Sequence, residues 1–297
     1  MSDLTAPRGL PGAWRLFVQL TKLPIASAST LTAAAGYLFA AGGVHWGLAT
    51  VLLGTLLLAL ASCAINEWQE RRLDAQMVRT ASRPIPSGRI PAGIALAAAL
   101  GLALAGGLLL LVAHGWPTAL LGVLALLWYN AVYTPLKRWT PFAVVPGALI
   151  GAAPPAIGWV AGGGRLSDPG MLALCLVYFL WQVPHFWLLL LRHDQDYQRA
   201  GFPTLAARFN PGQSRRILFV WIASVVFSCG LLPAFGVLHS YAAALLLLAP
   251  ALWLMGSSLS LLRPDAPAGL VLKLFPVINV FVLGLTLAVS LDPFIRS

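Results

Sequence analysis

Charge is what this sequence has least of: Asp, Glu, Lys and Arg supply 9% of its 297 residues, against about 25% in a water-facing domain. That deficit excludes a soluble globule. Cysteine is also scarce: Cys63, Cys175 and Cys229 fall within or beside apolar runs and form no CxxC or CxxCH pattern. They read as small core hydrophobes, not as redox, zinc or haem-attachment groups. Alternating strands of about ten residues, the mark of a membrane β-barrel, are missing as well.

What is present is hydrophobic: 59% of the chain, with a mean hydropathy of +0.82. Continuous apolar runs such as residues 51–60 and 95–113 repeat along almost the whole length. Apolar stretches of about 20 residues cross a bilayer as helices, because in lipid every backbone N–H and C=O must bond internally. The pattern predicts an all-α, polytopic membrane protein of about nine transmembrane helices. The expected spans are 23–41, 46–65, 91–113, 117–133, 142–162, 170–191, 217–235, 240–262 and 274–291. Residues 1–22 read as an N-terminal cytoplasmic tail without a cleavable signal, and 23–297 as a single transmembrane domain.

A net charge of +10 could point to nucleic acid, but the placement of the cations excludes that partner. With an inner N-terminus and nine alternating spans, seventeen of the nineteen cations face inward, from Arg8 to Lys273, and only Arg165 and Arg296 face outward. Such a bias sets orientation. It predicts the cytoplasmic membrane of a bacterium, with the N-terminus and the charged loops inside.

The loops are unequal. The outer connections 42–45 and 114–116 are short, whereas the inner loops 66–90 and 192–216 are long and hold Glu67, Glu70, Asp74, Asp194 and Asp196, five of nine acidic residues. Each follows the second helix of a four-helix group, which reads as a weak internal duplication with a ninth helix added. Asn66, Glu70 and Asp74 are spaced i, i+4, i+8, so on a helix they share a stripe that drifts by about 40° and rises about 6 Å per step. Three oxygen-bearing side chains at a membrane edge suit Mg²⁺, which takes carboxylates, waters and substrate phosphates. A solvated helix end paired to nearby arginines would show the same spacing.

Arg79, Arg83 and Arg89 follow in a turn-rich stretch, and guanidiniums after carboxylates suit a metal–diphosphate complex. Tyr133, Lys137 and Arg138 add a phenol and two cations at the end of the fourth span; a belt tyrosine with snorkelling cations fits equally. The fifth span carries Pro154 and Pro155 among small residues, which predicts a broken helix and a cavity able to hold a long or planar apolar ligand. His185, after Pro184 in the sixth span, suits either haem iron or propionate contact, or a bond to a carbonyl that the proline frees. Beyond it stand Arg192, Asp194, Asp196, Tyr197 and Arg199. Asp194 and Asp196 cannot share a helical face.

Together these residues resemble the protohaem IX farnesyltransferases, a branch of the UbiA-type intramembrane prenyltransferases. The motif N-x-x-x-D-x-x-x-D is met by Asn66, Glu70 and Asp74; R-T-x-x-R-P-x-x-S-G runs from Arg79 to Gly88; Y-T-x-x-K-R is met by Tyr133, Thr134, Lys137 and Arg138. G-A-x-P-P-x-x-G-W lies at 151–159, W-Q-x-P-H-F at 181–186 and D-Y-x-x-A-G-x-P at 196–203. Glu70 departs from the usual Asp, and Thr204 from a usual Met or Val.

The resemblance implies nine helices around a central cavity and transfer of farnesyl from farnesyl diphosphate to a vinyl group of haem b. It implies Mg²⁺ on Asn66, Glu70, Asp74 and Asp196, with Lys137 also in the catalytic set. It places substrate on Arg79, Arg83, Tyr133, Arg138, His185, Arg192 and Tyr197, and it selects Asp196 over Asp194 for the site. Membrane lipid, and a haem A synthase or oxidase-assembly factor, are the partners it implies. Two rivals remain: a prenyltransferase of the same superfamily acting on a quinone or other aromatic acceptor, and a transporter or assembly factor for an anionic lipid-like ligand.

Overall fold

The structure, a computed structural model, describes residues 12–265 and 269–295; Arg8 and Arg296, two of the topology-setting cations, lie outside the described residues. Among those residues, nine helices are long and apolar enough to cross a membrane: Leu23–Ala41, Gly47–Asp74, Ala92–His114, Trp116–Leu136, Pro141–Ala161, Pro169–Arg192, Pro211–Ala234, Tyr241–Leu262 and Leu270–Ile295. The chain is a polytopic all-α membrane protein.

Several boundaries differ from the sequence expectation, each for a local reason. The second span does not stop at residue 65 but continues to Asp74. Six of the nine residues from 66 to 74 are strong helix formers, so the helix outlasts the apolar run. The whole oxygen-bearing stripe therefore rides on one rigid helix. The seventh span begins at Pro211, where the Asn210 side chain and Gln213 form a reciprocal capping box. The segment expected as an N-terminal tail contains a helix, Gly12–Thr21. Its Leu20 packs against Ala64, Ile85, Ala95 and Ala99.

Proline behaves differently from expectation in two spans. Pro135 does not end the fourth span, because the helix widens into a π-turn over Trp128–Tyr133, and the Lys137 N–H then bonds the Tyr133 carbonyl at 3.0 Å. In the fifth span the interruption falls at Ala148, while Pro154 and Pro155 both lie inside the helix Leu149–Ala161. Packing decides this, not proline alone: a Cβ on Gly158 would sit 1.9 Å from the Ala33 carbonyl oxygen, and one on Gly36 would sit 2.1 Å from that of Pro155. The first and fifth spans thus meet backbone to backbone, as small residues permit in membranes. The fifth span is central, 61% of its apolar window being buried, while the third, at 22%, lies at the periphery.

Candidate active site

The stripe on the second span faces protein, not water. Asn66, Glu67, Glu70 and Asp74 are each at most 4% exposed. Burying so many polar and acidic groups is costly unless each finds a partner, and cations from separate segments supply partners for Asn66, Glu70 and Asp74. Lys137 Nζ lies 2.6 Å from Glu70 Oε2, and Arg83 Nη1 lies 2.6 Å from Asp74 Oδ2. Lys22 Nζ donates to Asn66 Oδ1 at 3.1 Å. The Asn66 amide in turn donates to Glu70 Oε2 at 3.0 Å and to Thr134 Oγ1 at 3.1 Å.

Burial works against the Arg83 charge, but the Asp74 carboxylate outweighs it and holds the guanidinium above its ordinary pKa. Burial, aided by nearby Arg83, lowers Lys22 instead; Asp74 and Glu67 offset only part of that.

The first long loop is pinned to the same helix. Glu67 Oε1 accepts the Ile85 N–H at 3.0 Å, and the Thr80 hydroxyl donates to the Asp74 carbonyl at 2.8 Å. These two contacts fold the Arg83–Gly88 turn back over the stripe. The second long loop closes onto the first, since Asp196 Oδ2 accepts the Arg79 backbone N–H at 3.3 Å and the Arg79 guanidinium reaches the Tyr197 hydroxyl at 3.5 Å.

Asp196 therefore meets the first long loop, and among the described residues no three His, Cys, Asp or Glu side chains form a metal-holding cluster. The four expected ligands are not gathered at one point: three lie on the stripe, and the fourth clasps the loop. Asp194 instead accepts from the Gln198 side chain at 2.6 Å.

An aromatic strip leads from the cations into the membrane. Lys137 lies 5.5 Å from the centre of the Tyr133 ring, and Tyr133 stacks on Phe186 at 5.5 Å. His185 follows, 4.7 Å from the Trp181 ring and 5.2 Å from that of Phe275. His185 does not take up a freed backbone carbonyl: its Nδ1 is buried without a partner, and its polar neighbour is the Asn279 side chain.

On the rim, Arg71, Arg72 and Arg138 line a cavity of about 530 Å³ with Gln69 and Phe202. No described carboxylate pairs with these three arginines. Arg138 donates to the Gln69 carbonyl at 3.2 Å. Arg192 ends the sixth span near His193; burial and the charges of Arg79 and Arg192 lower the His193 pKa.

Sequence reasoning missed Lys22, Glu67 and Thr134. Glu67 had a signal, since it stands on the Cys63–Glu70–Asp74 side of the helix by i, i+3, i+4 spacing. Lys22 was read only as a topology-setting charge.

Fold and site together define an integral membrane protein that concentrates buried oxygen-bearing side chains at one end of a helix bundle, with cations on Asn66, Glu70 and Asp74. The UbiA prenyltransferase family pattern matches residues 29–275, and the chain belongs to that family. A protoheme IX farnesyltransferase of Geobacter sulfurreducens is 45% identical over 212 residues, covering 70% of this chain and 77% of the relative. A digeranylgeranylglyceryl phosphate synthase structure superposes with a TM-score of 0.76 at 16% identity, covering 94% of this chain and 98% of that one. A UbiA homologue from Archaeoglobus fulgidus, solved bound to DMAPP and Mg²⁺, superposes with a TM-score of 0.66 at 16% identity, covering 92% and 98%. At such identities the two structures speak to the fold alone.

Proposed function

We propose that this chain transfers the farnesyl group of farnesyl diphosphate to a vinyl group of protohaem IX, forming haem O. The observation that carries the reading is the paired stripe, Lys137 on Glu70 and Arg83 on Asp74, opening through Tyr133 and Phe186 toward His185. The named relative in Geobacter sulfurreducens supports the same acceptor.

The residues fit a divalent ion: the donors are hard oxygens, and Glu70 Oε1 is buried with no partner. Asn66, Glu70 and Asp74, joined by Asp196, would hold Mg²⁺, which when bound neutralises diphosphate charge and favours departure of the leaving group. The cations then do the rest. Lys137, Arg83 and Arg79 offer N–H donors to the diphosphate oxygens where negative charge grows as the allylic C–O bond breaks and its electron pair passes to the leaving oxygen. The aromatic strip keeps water from the allylic cation. The vinyl π-electrons form the new C–C bond, and water adds to the resulting carbocation and loses a proton, leaving a hydroxyethylfarnesyl group. His185 and Trp181 hold the porphyrin, and Arg71, Arg72 and Arg138 take its propionates. The cation bias of the inner segments supports an inward-facing site in a bacterial cytoplasmic membrane.

The test supplies purified protein with Mg²⁺, farnesyl diphosphate and haem, with and without chelator, and looks by mass spectrometry for farnesylated haem. A product formed only on a benzoate- or quinone-type acceptor would transfer the reading to that branch. Absence of diphosphate release with every acceptor would leave a transporter or assembly role.

A further inference from the structure

Lys22 is the one described residue other than glycine with a positive φ, at φ 50° and ψ 44°. The left-handed region strains a residue with a side chain, and glycine would occupy it without penalty. The turn between the helix Gly12–Thr21 and the first span thus accepts strain in order to carry a lysine. The strain has a clear consequence: the side chain is sent inward, and Nζ meets Asn66 Oδ1 at 3.1 Å.

The orientation of that amide is fixed by its neighbours. Thr134 Oγ1 donates to the Tyr129 carbonyl at 2.9 Å, so toward Asn66 it must accept. Glu70 Oε2 can only accept when ionised. Both contacts therefore fall on the Asn66 Nδ2 group, and Oδ1 is left as its only metal-competent atom. Lys22 holds that atom.

We propose that Lys22 is a positioning residue that occupies the metal-facing oxygen of Asn66 until diphosphate arrives, and so makes divalent-metal binding and diphosphate binding depend on one another. It rests on the metal–diphosphate reading above. Metal alone must displace an ammonium from its ligand and then stand beside that unpaired cation. Diphosphate supplies a better acceptor, the ammonium moves to a phosphate oxygen, and Oδ1 becomes available. Arg83 on Asp74 and Lys137 on Glu70 stand in the same relation to the other two stripe positions. Lys22 is the only one of the three on a strained backbone and the only one whose partner is neutral.

The test uses the full chain in detergent at fixed pH, with Mn²⁺ as the probe ion followed by electron paramagnetic resonance, in the presence and absence of inorganic pyrophosphate. The variant is Lys22→Gly, which relieves the backbone strain and should unfold no more readily than the parent. Wild type is expected to bind Mn²⁺ weakly alone and much more tightly with pyrophosphate. In Lys22→Gly, Mn²⁺ alone should bind more tightly than in wild type, while the enhancement by pyrophosphate should fall roughly tenfold, the weight of one charge-assisted hydrogen bond. A purely structural lysine would weaken both or change neither. Unchanged or weaker binding of Mn²⁺ alone in the variant, or an undiminished enhancement, overturns the proposal. If wild type takes up no Mn²⁺ even with pyrophosphate, the metal–diphosphate reading itself fails, and this proposal fails with it. Lys22→Arg, which keeps a cation, should restore most of the enhancement.

Discussion

Lys137 Nζ and Glu70 Oε2 stand 2.6 Å apart although 67 positions separate them in the chain. The contact ties the end of the fourth span to the middle of the acidic stripe. Both side chains are largely buried, at 18% and 5% exposure, so removing one charge strands the other. Lys137→Met should destabilise the bundle by about 3 kcal/mol and lower turnover at least about 100-fold, because a donor at the ionising C–O bond is lost. Adding Glu70→Gln to that variant should recover most of the stability and none of the activity. Thermal unfolding in detergent and product formation, measured on the same samples, check both halves. A double variant that stays as unstable as Lys137→Met would show that the pair is not the cause.

The clasp between the two inner loops separates two roles for Asp196. Its carboxylate accepts the Arg79 backbone N–H at 3.3 Å, a contact that an amide oxygen can also make. Asp196→Ala should free the 76–90 loop, giving faster backbone hydrogen exchange there and a KM for farnesyl diphosphate raised about tenfold. Asp196→Asn should restore the slow exchange. If turnover also returns with Asn, Asp196 acts by holding the loop; if turnover stays low while the loop is protected, its charge serves the metal–diphosphate complex.

The bundle itself depends on one close approach. A methyl group on Gly158 would stand 1.9 Å from the Ala33 carbonyl oxygen, and backbone atoms cannot move aside as a flexible side chain can. Gly158→Ala should therefore cost about 3 kcal/mol and push the first and fifth spans apart. Gly93→Ala, with nothing within 4 Å, serves as the control and should leave the unfolding temperature unchanged or slightly raised.

The spans, the inner loops and the acidic stripe were legible in the sequence because each depends on short-range periodicity. Nine apolar runs give the nine membrane-length helices found among the described residues, and i, i+4, i+8 spacing gives one face for Asn66, Glu70 and Asp74. What was not legible depends on contacts across the fold. That Pro154 and Pro155 stay helical follows from the first span pressing on Gly158, which no local rule contains. That Lys22 belongs with Asn66 follows from a left-handed turn and a helix outside the expected spans. Glu67 counted only as one of five acidic residues in the inner loops, whereas it holds the Ile85 N–H.

His185 offers the sharpest way to separate acceptor from donor chemistry. Its Nδ1 is buried without a partner, and its ring lies between Trp181 and Phe275. A buried polar atom left unpaired costs about 1–3 kcal/mol, a cost that a bound acceptor can offset by supplying the missing partner. His185→Ala and His185→Phe are therefore both expected to bind haem about tenfold more weakly and to lose the shift in its Soret band. His185→Phe, which keeps an aromatic ring in place, should retain the unfolding temperature of the parent. Neither change touches the Lys137–Glu70 or Arg83–Asp74 pairs, so the affinity for farnesyl diphosphate should stay within about twofold. Haem binding and a Soret spectrum identical to wild type in His185→Phe would remove His185 from the acceptor site. A parallel loss of farnesyl diphosphate affinity would instead mean that the histidine supports the whole cavity.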